Sequence, residues 1–180
     1  MAMAISVPLY TVDDLEHFPD DGNRYELLDG VLLVTPQAAA VHQVVANRIQ
    51  FELTAFLQKP GLAHVVGPGA VVRRPRTQLQ PDILVYPARF SPMTDWRMIT
   101  EHWLAVEVLS RSSRVYDREF KRDAYFALGL EQVWLVDWRD RSVEVCTGKR
   151  KSRVVRDRIR WRIARTEVAI DLNEVFAGLP

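Results

Sequence analysis

Apolar and polar positions alternate in two rhythms along this chain. Three short apolar runs, ILVYP after Pro81-Asp82, WLAVEVLS from Trp103, and QVWLVD from Gln132, have the β-branched and aromatic content of buried strands. Between the second and third lies a helical pattern over about 116–128, with Phe120, Ala124, Ala127 and Leu128 on its apolar side and Gly129 at its C′ position. A strand–helix–strand unit of this length predicts a right-handed crossover, with strands 103–109 and 132–137 parallel and adjacent. Ser110, Ser112 and Ser113 supply caps for its helix.

The same reading places a short helix at about 12–18, capped by Thr11, and a hairpin YELL–Asp29-Gly30–VLLVT, since Asp-Gly suits a type I′ turn. Val41, Val45, Ile49, Leu53 and Phe56 follow helical spacing over 38–58, and Pro60-Gly61 stops that helix. Residues 62–73 read as two short strands broken at Gly67-Pro68-Gly69, and 87–102 as an irregular loop. After a turn at 138–141, the alternating residues to about 164 predict antiparallel edge strands, and AIDLNEVFAG closes in a helical turn.

Composition narrows the class. At 180 residues and 48% hydrophobic, the chain is expected to form one globular domain with a full core. The lone Cys146 leaves no internal disulfide or cysteine zinc site, and the four histidines show no ligand spacing. No apolar run reaches the roughly 20 residues of a membrane helix. MAMAISVPLY has neither a basic start nor a long apolar centre, so the expected location is cytoplasmic. Net charge is only +1, yet it is uneven. Residues 1–31 hold seven acids and a single base, Arg24, whereas residues 139–165 carry eleven Lys and Arg against three acids. The second stretch is either a nucleic-acid face or a solvated hairpin.

The candidate chemistry consists of charges that interrupt apolar elements. Asp82 opens one strand, Glu107 stands near the end of the next, and Lys121 follows in the helix after it. Two carboxylates on neighbouring strands repel unless a cation joins them. Mg2+ takes oxygen ligands and keeps several waters, so Asp82 and Glu107 with the Val108 carbonyl suffice as its protein ligands, Mn2+ being the alternative ion. Lys121 supplies charge to the attacking water or the phosphate. Taken singly, each has a plainer reading: a turn aspartate, a glutamate paired with a surface arginine, and an exposed helical lysine.

PDILV, AVEVLSRSS and YDREFKRDAYFALGLEQVWLVD resemble the Uma-type restriction-endonuclease-like family, a branch of the PD-(D/E)XK nuclease superfamily. YELLDGVLLV and the VHQVV helix are similar to that family's opening, and the likeness covers most of residues 24–146. The resemblance implies an α/β, restriction-endonuclease-like core: a helix, a three-stranded antiparallel unit, a helix and a further strand, giving a mixed central sheet flanked by helices, with additional antiparallel strands. It matches Asp82 to the superfamily aspartate and Glu107 to the acid of the (D/E)XK element. Leu109 stands where the superfamily lysine is expected, and the branch moves that lysine to Lys121. Glu26 matches an acid that some members add to the site. Asp117, Tyr125 and His42 also match recurrent positions, read as a helix-start carboxylate, a packing or supporting group, and a hydrogen-bonded histidine at a helix start.

Three functions follow as expectations. The first is a Mg2+- or Mn2+-dependent endonuclease acting on DNA, as a homodimer if both strands are cut. The second is a catalytically silent nucleic-acid-binding or assembly module on the same fold. The third is a metal-dependent hydrolase of another phosphodiester. In the first, Asp82, Glu107 and Lys121 converge in one cleft with Glu26 at its rim.

Overall fold

The computed structural model describes residues 8–110 and 120–180. Ser112, Ser113, Asp117 and the expected start of the second helix lie outside the described residues. After a 3-10 helix at Val12–His17, strands β1 (Arg24–Leu28) and β2 (Val31–Thr35) form the first hairpin. Asp29 and Gly30 at its turn have φ of 50° and 89°, the left-handed pair that a type I′ turn requires. Helix α1 (Ala40–Leu53) follows and ends in a π-helical turn, Thr54–Gln58. Next come β3 (Ala63–Val66), β4 (Val71–Arg73), β5 (Thr77–Leu79), β6 (Ile83–Pro87) and β7 (Leu104–Val108). The segment between β6 and β7 is irregular apart from one 3-10 turn, Trp96–Met98. Helix α2 (Arg122–Ala127) leads to β8 (Gln132–Asp137), β9 (Ser142–Gly148), β10 (Lys151–Val155), β11 (Arg158–Ile163), β12 (Thr166–Asp171) and α3 (Leu172–Val175).

The central sheet has six strands in the order β10-β9-β8-β7-β6-β3. Strands β3, β6 and β7 are antiparallel, while β7 and β8 run parallel in the register Glu107↔Leu135. The expected crossover pair is therefore present. A four-stranded sheet, β2-β1-β5-β4, and the β11–β12 ribbon complete the mixed α/β architecture.

Period-two alternation on β7 decides what each face of the central sheet sees. Leu104, Val106 and Val108 pack with Ile49 and Leu53 of α1, Trp134, and Trp161 and Ile170 of the ribbon. Ala105 and Leu109 face the opposite way, with Leu79, Leu84, Tyr125 and Leu135. Trp134 is fully buried, and its truncation to alanine is expected to cost about 3–5 kcal/mol. Glu107 shares the parity of Ala105 and Leu109, so the backbone directs its carboxylate inward toward α2 and the small sheet.

The phase of α2 differs from the sequence expectation. Phe120 is 54% exposed and Ala127 is exposed, while Lys121 and Tyr125 are buried. Positions i and i+4 share a helix face, and here the inward face is chosen by polar partners rather than by the apolar count.

Candidate active site

The carboxyl ends of parallel β7 and β8, the start of α1 and the start of α2 surround one cavity of about 280 Å3. Crevices at the carboxyl ends of parallel strands are where α/β sheets bind ligands. Arg24, His42, Asp82, Glu107 and Lys121 line this one, with Trp138 and Arg139 from the β8–β9 turn. Asp82 precedes β6, and the register Ile83↔Val106, carried one step further, sets it opposite Glu107.

The acids are held by different partners. Asp82 Oδ1 accepts from both terminal nitrogens of Arg24 at 3.1 Å. Its Oδ2 accepts from Val108 N–H at 2.8 Å and lies 3.0 Å from His42 Nε2. Burial pushes the Asp82 carboxyl up, but the hydrogen bond and charge of His42, the Arg24 charge and the Val108 N–H outweigh it and hold it below the ordinary range. Burial likewise disfavours the Arg24 cation, yet Asp82, Glu107 and Glu26 together keep its pKa raised. A close backbone approach supports this corner: a Cβ on Gly67 would stand 2.6 Å from the Asp82 carbonyl oxygen.

Around Glu107, Tyr125 donates its hydroxyl to Oε1 at 2.6 Å, and Lys121 Nζ lies 3.3 Å from the same atom. Lys121 is nearer to Glu26 Oε2, at 2.7 Å, while Glu26 Oε1 accepts from Gln80 N–H at 2.7 Å. Glu26 has no exposed surface and does not line the cavity. The rim position expected for it is thus corrected: β1 carries it beneath Lys121, where it anchors the ammonium from below.

Residues 12–177 match the family model Uma2, described as "Putative restriction endonuclease". The chain belongs to the Uma2 family. A crystal structure titled as "a putative nuclease belonging to DUF820" from Anabaena variabilis ATCC 29413 has a similar fold, with a TM-score of 0.77 over 93% of this chain and 97% of that one. The two sequences are 14% identical, so the likeness speaks for the fold alone. No curated protein matches the chain.

The donor set of this Uma2 chain suits a hard divalent cation in kind. Its acids offer oxygen only, and three buried carboxylates face two permanent cations, Arg24 and Lys121. Among the described residues, no three His, Cys, Asp or Glu side chains cluster as a metal cage. Asp82 already receives four donors, which fills the lone pairs of a carboxylate. An ion at Asp82 must therefore displace one of them. His42 is the donor with neither a permanent charge nor a place in a strand.

Sequence reading missed Arg24 and the Trp138–Arg139 turn as parts of the site. Arg24 had one signal, as the only base among seven acids in residues 1–31. The histidine expected to be hydrogen-bonded at the start of α1 proves to be bound to Asp82 itself.

Proposed function

We propose that this protein is a Mg2+- or Mn2+-dependent endonuclease that hydrolyses phosphodiester bonds of DNA. What supports the reading is the meeting of Asp82, Glu107 and Lys121 at one cavity in a chain of the Uma2 family. Asp82 and Glu107 would hold the ion, whose contribution is Lewis-acid polarisation of a phosphoryl oxygen. Lys121, beside Glu107, orients the attacking water and offsets charge developing on the phosphate. Glu26 fixes the ammonium, and Tyr125 fixes the Glu107 carboxylate in one rotamer. Arg24 aligns Asp82 and shields it from the other two acids. Cutting both strands calls for two such sites, so the active species in this reading is a homodimer.

The test is nicking of supercoiled plasmid in Mn2+, with EDTA as control. The parent should nick, and Asp82→Asn and Glu107→Gln should lose both nicking and Mn2+ binding by calorimetry. A second reading, a silent nucleic-acid-binding or assembly module, is favoured by one observation, the four donors already on Asp82. Metal-independent DNA binding with no Mn2+ heat would select it.

A further inference from the structure

We propose that Arg139, held against Trp138, is the residue that grips a second phosphate, and that the substrate is therefore a nucleic-acid strand rather than an isolated phosphodiester. The inference rests on the nuclease reading for the position of the cut, but not for the binding itself. Among the described residues three Lys or Arg side chains line the cavity, and two are paired: Arg24 with Asp82, and Lys121 with Glu26 and Glu107. Arg139 is exposed, and among the described residues no carboxylate pairs with it. Its guanidinium carbon lies 4.2 Å from the centre of the Trp138 ring. Trp138 is itself partly buried against the main core, so the platform beneath the guanidinium is fixed. Such stacking orients the planar fork and leaves its N–H edges free, which is the geometry that suits bidentate capture of a phosphate.

Most of the basic run from 139 to 165 is engaged or placed elsewhere: Arg141 donates to the Leu179 carbonyl and Arg153 to the Arg160 carbonyl. Arg156 is paired with Asp140, Arg158 with Asp171, and Arg160 and Arg162 with Glu167. Lys149, Arg150 and Lys151 surround the β9–β10 turn, at the far end of β9 from the cavity. Among the described residues, Arg139 is thus the cavity-lining guanidinium that no acid holds. One phosphate at the acids and its neighbour at Arg139 define a strand running across the opening.

The test uses the full chain and a fluorescein-labelled single-stranded 12-mer, first without divalent ion. Arg139→Ala should weaken binding about tenfold and reduce the slope of log affinity against log salt by about 0.7, the value for one phosphate contact on a single strand. Trp138→Leu should weaken binding in the parent but add almost nothing to Arg139→Ala, because Trp138 is a positioning residue acting through Arg139. With Mn2+, Arg139→Ala should raise KM for the oligonucleotide about tenfold with kcat retained. The preference for the oligonucleotide over bis(p-nitrophenyl) phosphate should fall by the same factor. If affinity and salt slope stay at parental values in Arg139→Ala, the proposal is overturned, even where Glu107→Gln abolishes cleavage. If the parent cuts nothing but Arg139→Ala lowers the affinity and the salt slope by the stated amounts, the strand-binding role stands and the nuclease reading falls.

Discussion

Lys121, which caps the start of α2, and Tyr125, one helical turn further on, bring their donors to the same oxygen, Oε1 of Glu107, at 3.3 and 2.6 Å. Two donors of different strength on one atom fix the carboxylate in place and can be removed one at a time. Tyr125→Phe deletes a hydroxyl and keeps the buried ring. It is expected to cost about 1.5–3 kcal/mol, the range for a hydrogen bond to a charged acceptor. Urea denaturation measures this. Nicking should slow without being abolished, since the acid itself remains.

Lys121→Ala should separate two roles. Its ammonium is buried beside Glu26, and removing it leaves a buried carboxylate short of its cation. A loss of about 3–5 kcal/mol in stability is expected. Adding Glu26→Gln should recover most of that stability. It should not recover cleavage, which is expected to be down by a factor of about a hundred. Recovery of cleavage in the double variant would remove Lys121 from the proposed chemistry.

His102 gives the fold a pH limit. Burial pushes its imidazole down to about 4 from an ordinary 6.5, and its Nε2 is buried without a hydrogen-bond partner among the described residues. Between those two values the unfolded chain binds the proton and the native chain does not. Stability is therefore complete above pH 6.5 and falls as the pH drops toward 4. At pH 5 the loss relative to pH 7 should be about 2 kcal/mol. His102→Gln should flatten that dependence in urea midpoints taken at the two pH values. The pKa of Asp82 is also depressed, but an acid of this kind loses its contribution only as the pH falls through the lowered value; burial raises Glu131, which works in the opposite direction, so the histidine's share is read from the difference between parent and His102→Gln.

Arg156→Ala and Arg160→Ala should leave the salt dependence of nucleic-acid binding at its parental slope. Both side chains are exposed and already face acids, Asp140 at 2.9 Å and Glu167 at 3.0 Å. Exposed pairs of this kind contribute little to stability, so the folded yield should not change either. A reduced slope in filter binding would return these arginines to the nucleic-acid face.

The sequence carried the fold further than it carried the site. Strands β6, β7 and β8 were legible because continuous apolar runs have few other uses, and Asp29-Gly30 was legible because its turn demands positive φ. Helix α2 was placed, but its phase was misread. Counting apolar residues turns Phe120 inward, whereas the buried acids Glu26 and Glu107 draw Lys121 in and leave Phe120 in solvent. Arg24 could not be paired from the sequence, because its partner lies 58 positions away. The arginines of β11 were ambiguous for a related reason. Their acids sit on β12, and only the register Arg162↔Glu167 reveals that the charges meet across the ribbon.

Glu26 near the beginning, Asp82 and Glu107 in the middle, and Lys121 beyond them draw the site from four distant stretches of chain. During synthesis, at roughly 5–20 residues per second, none of the earlier pieces can form it alone. The Glu26 carboxylate waits for an ammonium almost a hundred residues downstream, and β7 waits for β8 to cover its parallel edge. A ribosome-bound fragment ending before Lys121 therefore emerges unarmed, and the constellation closes only when most of the chain has left the ribosome.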